Sequence, residues 1–114
     1  MKKQSLLNLI SKSGNNLIFN KNVAEKISLE AAVILAELIS EYTLWERKNA
    51  LEEDGWFFCT VDKLNNILHK KQDVQNKHIN KLISFGLIEK ELRGYPYKRY
   101  FKLNIKNIID FYNN

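Results

Sequence analysis

Residues 54–104, DGWFFCTVDKLNNILHKKQDVQNKHINKLISFGLIEKELRGYPYKRYFKLN, decide the architecture of this 114-residue chain. Trp56, Phe57, Phe58 and Cys59 form an aromatic run suited to a short strand. Thr60 then offers a hydroxyl to cap a helix over residues 61–68, with Asp62 in the first turn, where a negative charge meets the positive end of the helix dipole. Val61, Leu64, Ile67 and Leu68 give that helix an inward face. His69, Lys70, Lys71 and Gln72 break the apolar period and read as a turn. A second helix, over about residues 72–85, buries Ile79, Leu82 and Ile83, and Gly86 stands where a left-handed residue ends a helix. Two strands follow, residues 87–92 and 98–105, around a tip of Arg93, Gly94, Tyr95, Pro96 and Tyr97.

Upstream of this unit, Ser28 can cap the longest helix, in which Leu29, Ala32, Val33, Leu35, Ala36, Ile39 and Tyr42 recur at three- and four-residue steps. That helix runs through Trp45 to Arg47, and its wide apolar stripe makes it a central core element. Asn20 caps a shorter helix reaching Ile27. Earlier still, Leu6, Leu7, Leu9 and Ile10 suit a short helix or an arm that packs on a partner, ended by Gly14, Asn15 and Asn16. Downstream, Ile108, Ile109, Phe111 and Tyr112 place a short amphipathic helix in residues 107–114. The expected fold is α+β and mainly α, with a three-stranded antiparallel sheet made of one short strand plus a hairpin. The length suits one domain: an arm over residues 1–15, a core over 16–104 and a C-terminal helix over 105–114.

Hydrophobic residues at 45% and charged residues at 27%, with four Gly and one Pro, describe a chain able to fold. No apolar run approaches the roughly 20 residues of a membrane span, so the reading is a cytoplasmic protein without a membrane partner. The lone Cys59 agrees with a reducing compartment. One Cys and two His lack metal-ligand spacing, and no Gly-rich phosphate loop is present. His69 and His78 have no nucleophile beside them in any motif, so neither an enzyme nor a cofactor is expected. The net charge of +5 is unevenly spread. Residues 24–62 hold three basic against nine acidic side chains, and residues 69–104 hold nine basic against three acidic. A basic half of this kind suits docking on a polyanion.

With Ile79 at the centre of the buried face, an advance of about 100° per residue puts Asp73, Lys77, Asn80, Lys81 and Ser84 opposite, with Asn76 at the margin. Amides and ammonium groups are the side chains that pair with base edges and phosphates. Gln72, Asp73, Gln75, Asn76 and Lys77, near the helix N-terminus, are placed to penetrate deepest. Asn76, Lys77, Asn80 and Lys81 are the leading candidates, with Gln72 beside them. In the hairpin, Arg93, Tyr95, Lys98 and Arg99 are candidates for backbone or minor-groove contact. Lys63, Lys70 and Lys71 are further phosphate candidates. A solvated helix face and an edge protected by charge would also carry such residues.

The segments SLEAAVILAELI (28–39), DGWFFCTVDKL (54–64), HINKLISFGLIEK (78–90) and RGYPYKRYFKLN (93–104) together resemble the N-terminal winged-helix domain of phage replisome organisers and DnaD-like replication proteins. They are also similar to the N-terminal domain of RepA-type plasmid initiators. The resemblance spans about residues 16–104, and the W-F-F strand with the G-x-P-x-K-R-Y tip is its more specific part. It implies a winged helix-turn-helix that binds double-stranded origin or operator DNA, often as a dimer, in replication initiation or transcription regulation. Those initiators continue into a C-terminal domain that recruits helicase or loader, whereas this chain ends at Asn114. The expectation is therefore a stand-alone DNA-binding subunit, a small regulator of a phage, plasmid or other mobile element, or a protein whose replication or regulatory partner docks on the first helix. A homodimer contact would fall on residues 1–15 or on the tail. The alternative is a protein-interaction module that uses the same scaffold without touching DNA.

Overall fold

Side-chain caps begin most of the helices, and they fall where the short polar residues stand. Asn20 Oδ1 accepts the Val23 amide at 3.1 Å and opens α1 (Lys21–Lys26). Ser28 Oγ accepts the Ala31 amide at 3.0 Å and opens α2 (Leu29–Arg47). Thr60 Oγ1 accepts the Lys63 amide at 3.2 Å and opens α3 (Val61–Leu68). Each such bond satisfies one amide that the first helical turn leaves without a carbonyl. The computed structural model describes residues 16–114. The arm expected over residues 1–15 lies outside them.

Between α2 and α3 the acidic loop makes one 3₁₀ turn (Glu53–Gly55) and enters β1 (Phe57–Phe58). His69 closes α3 in the left-handed region at φ 56°, and after a three-residue turn α4 runs over Gln72–Ser84. Gly86, at φ 74°, then reverses the chain into β2 (Ile88–Arg93). The positive φ favours glycine, and a Cβ there, 3.3 Å from Asn107 Nδ2, would also push on the amide that donates to Gly86 O at 2.8 Å. The return strand is β3 (Lys98–Leu103), followed by α5 (Ile105–Tyr112).

The sheet is antiparallel in the order β1-β3-β2, with Phe57 opposite Phe101, Ile88 opposite Leu103, and Arg93 opposite Lys98. Alternation along β3 sends Arg99, Phe101 and Leu103 inward. Helix α2 crosses the centre and packs on α1, α3, α4 and β3. Ile34, Leu35, Leu38, Phe57, Leu64, Ile79, Leu82, Leu87 and Phe101 are all fully buried around it. This is the winged helix-turn-helix arrangement, with α3 and α4 as the helix pair and β2-β3 as the wing.

Three local expectations change. Ile67 is exposed rather than inward, because α2 covers only the Leu64 side of the eight-residue α3. Strand β3 stops at Leu103 rather than 105, because α5 already starts at Ile105, where the C-terminal helix was expected to begin. Asn104 Oδ1 accepts the Asn107 amide at 3.1 Å and so converts the end of the strand into a helix cap. Ile83 is only half-buried, and His78 and Gln75 complete the inner face of α4 instead.

Candidate nucleic-acid interface

Helix α4 turns Gln72, Asp73, Lys77, Asn80 and Ser84 to solvent, leaves Asn76 and Lys81 half-buried, and buries Gln75, His78, Ile79 and Leu82. The outward set is the one helical periodicity predicts, with one correction. Gln75 is fully buried and is not among the residues that can penetrate a groove. Its position was readable, since Gln75, Ile79 and Leu82 follow the i, i+4, i+7 spacing of a buried stripe.

Gln75 acts as a hub inside the domain. Its Nε2 donates to Val61 O at 3.1 Å and to Lys70 O at 2.8 Å, pinning the start of α3 and the turn before α4. Its Oε1 accepts from Arg99 Nη2 at 2.7 Å. Arg99 Nη1 donates to Asn76 Oδ1 at 3.1 Å, and its guanidinium lies 5.7 Å from the centre of the Phe101 ring. Arg99 is therefore not a phosphate contact but a buried latch between β3 and α4, only 5% exposed. Amide oxygens, not a carboxylate, receive its charge, and burial pushes its pKa down from the ordinary arginine value. The period-two alternation with Phe101 and Leu103 is the sequence signal for its inward direction.

A second anchor sits one residue before Ile79. His78 Nδ1 and Ser28 Oγ are 2.9 Å apart, and Nε2 lies 3.9 Å from Glu30 Oε2. Because Ser28 Oγ already accepts the Ala31 amide, the arrangement suits its hydroxyl proton donating to a neutral imidazole. Burial lowers the His78 pKa, Glu30 opposes that shift, and Lys81 and Lys77 add to it. Helix α4 and the central helix are thus joined at the start of α2.

The wing tip carries Tyr95 and Tyr97, both strongly exposed and edge-to-face with ring centres 6.4 Å apart, beside a cis Tyr95-Pro96 peptide. Lys98 is exposed, its Nζ 4.8 Å from the Phe58 ring centre. Arg93 departs from expectation. It donates to Glu52 Oε2 at 2.6 Å and to Glu91 Oε2 at 3.2 Å, and lies over the Trp56 and Tyr100 rings at 5.0 and 4.7 Å. It ties the wing to the acidic loop, so its groups are engaged within the protein. Lys63 is likewise engaged, by an ion pair with the buried Glu41, whose hydrogen bond raises the lysine pKa. Lys70 and Lys71 are exposed and form no ion pair among the described residues. Lys71 precedes α4 without a side-chain cap.

On α4, Gln72, Lys77 and Asn80 are exposed and Asn76 and Lys81 half-buried, with the exposed Lys70 and Lys71 at the start of the helix; Tyr95 and Lys98 are exposed on the wing. Between wing and helix runs a crevice of about 270 Å³, with Gln72, Leu92, Tyr97 and Arg99 in its walls. Among the described residues no helix is long and apolar enough to cross a membrane.

No protein-family model and no curated protein matches the chain. Among solved structures it is similar to one described as the N-terminal domain of a DNA binding protein, at 17% identity and a TM-score of 0.59, over 96% of this chain and 92% of that one. It is also similar to one described as the structure of a Rep-DNA complex, at 18% identity and a TM-score of 0.62, over 90% of this chain and 82% of that one. At these identities the likeness is one of fold, and the fold is the winged helix expected from the sequence.

Proposed function

We propose that the chain is a non-enzymatic double-stranded DNA-binding protein of a phage, plasmid or other mobile element, acting in replication initiation or transcriptional control. The observation that carries this reading is the amide-and-ammonium face of α4, joined through Arg99 to a wing that exposes Lys98, Tyr95 and Tyr97. Gln72, Asn76, Lys77, Asn80 and Lys81 would enter the major groove, Lys70 and Lys71 would meet phosphates, and Tyr95 and Lys98 would hold the backbone from the wing. The two similar structures support it, one being described as a DNA binding protein and the other as a Rep-DNA complex. Fluorescence anisotropy of a mixed-sequence duplex at several salt concentrations tests it. Binding that falls steeply with salt is the expected result, and absence of binding at low salt would refute it.

A protein-interaction role is the second reading, favoured by one feature. Ile18, Phe19, Leu29 and Ile67 are exposed apolar residues, and Phe19, Leu29 and Ile67 line a groove of about 460 Å³ between the start of the described chain, α2 and α3. A homodimer or a replication protein would cover such a surface. Light scattering of the purified chain, with and without Leu29→Glu, separates self-association from a monomer.

A further inference from the structure

Asn76 belongs to the row Gln72, Asn76, Asn80, one helical turn apart on the side of α4 that meets the wing. Its Oδ1 accepts from Arg99 Nη1 at 3.1 Å. A guanidinium offers only donors, so the amide atom turned toward it has to be the oxygen, and the NH₂ group has to point the other way. Arg99 in turn cannot swing aside easily. It is buried, and its second nitrogen is held by Gln75, which is itself fixed by two backbone carbonyls. Asn76 Nδ2 has no hydrogen bond among the described residues and is not one of their buried unpartnered atoms, so it is open to solvent. Asn80, fully outward, carries no comparable restraint.

Resting on the DNA-binding reading above, we infer that Arg99 makes Asn76 a donor-only reader, which pairs with an acceptor edge in the major groove, guanine N7 and O6 or thymine O4. The familiar asparagine-to-adenine pairing uses both halves of the amide: the oxygen accepts from adenine N6 while the nitrogen donates to N7. Here the oxygen is turned inward to a buried cation. An outward NH₂ finds two acceptors at guanine, N7 and O6, and one at thymine O4, whereas at adenine it can donate only to N7 and cannot accept from N6. Asn76 therefore loses the bidentate preference for adenine that asparagine usually shows and favours the base with more acceptors, and Asn80 keeps the freedom to read adenine.

The test begins by selecting a preferred duplex for the full chain from a random library. If no duplex is bound or preferred, the DNA-binding reading itself fails. With a site in hand, anisotropy compares the native chain and Asn76→Ala against every single-base change. The expected result is loss of about tenfold discrimination at one position whose preferred base is guanine or thymine. At that position 6-thioguanine or 4-thiothymine weakens binding by the native chain and leaves Asn76→Ala unaffected. A preferred adenine there, an equal loss across all sequences as from a phosphate contact, or no loss would each overturn the inference. Asn76→Asp supplies a second arm, since a carboxylate still receives Arg99 and a thermal melt verifies that the fold persists. It turns an acceptor outward, so preference should move from guanine toward cytosine, whose N4 donates. An unchanged preference in that folded variant would also overturn the inference.

Discussion

Arg99 Nη2 and Gln75 Oε1 are 2.7 Å apart, and that bond joins the central strand of the sheet to the inner face of α4. Both residues are buried, and their bond ties the helix to the wing. Removing the arginine leaves two amide oxygens without a donor and opens a void beside Phe101. Arg99→Ala should cost about 2–4 kcal/mol of unfolding free energy by urea titration. Arg99→Met, which keeps the volume and removes the buried cation, should cost less. A loss below about 0.5 kcal/mol in the alanine variant would show that the latch contributes little.

Lys77 and Lys81 lie on the outer side of α4 and bear on binding rather than on folding. Substituting both by alanine should lower the slope of log K against log salt by about 2 if each meets a phosphate, at nearly unchanged melting temperature. A slope equal to that of the native chain would remove these lysines from the interface.

Lys63 should behave in the opposite way. Its ion pair covers the buried Glu41, so Lys63→Ala strands a carboxylate inside the fold and should cost about 1–3 kcal/mol. Replacing the pair together, Glu41→Leu with Lys63→Met, should recover most of that loss. Duplex affinity of the folded alanine variant should match the native value, which a phosphate-binding lysine would not allow.

Stability should fall on mild acidification through His78. Its folded pKa lies below its unfolded value of 6.5, so the unfolded chain takes up the proton first. The contribution is fully present above 6.5 and is lost as pH falls through that value toward the folded pKa. Burial of Glu37 raises its carboxyl pKa, a shift of the opposite sign in stability, so the comparison needs a variant. His78→Gln should flatten the dependence of melting temperature between about pH 5.5 and 7.5, and an unaltered profile would assign the dependence to other groups.

Cys59 is 1% exposed, and burial pushes its thiol up to about 12. A thiol reagent at neutral pH should therefore modify the native chain only through unfolding, at a rate that tracks global stability across the Arg99 and Lys63 variants. Fast labelling of the native chain would mean that β1 opens locally.

Short-range chemistry made most of the fold legible. Asn20, Ser28, Thr60 and Gly86 mark helix ends through bonds that span three residues or through one backbone angle, and the apolar period of α2 and α4 follows from the helix alone. The outer face of α4 could be read for the same reason, since burying Ile79 and Leu82 leaves Lys77 and Asn80 no other direction. Ile67 escaped this logic because a helix pattern shows which residues share a face but not how far a neighbouring helix extends over it.

The roles of the cations were a different matter. Arg93, Arg99 and Lys63 carry the same charge as Lys77 and Lys98, and composition treats them alike. Their partners Glu52, Gln75 and Glu41 lie 41, 24 and 22 residues away in the chain. The first two pairings arise only when the wing folds back over the acidic loop and α4, and the third when α3 packs on α2, because a cation is drawn to whichever carboxylate or amide oxygen the backbone brings within about 3 Å. Element order, caps and the exposed face of α4 were local consequences of residue type. Which cations remain free for a polyanion, and which way the Asn76 amide points, were decided by long-range packing.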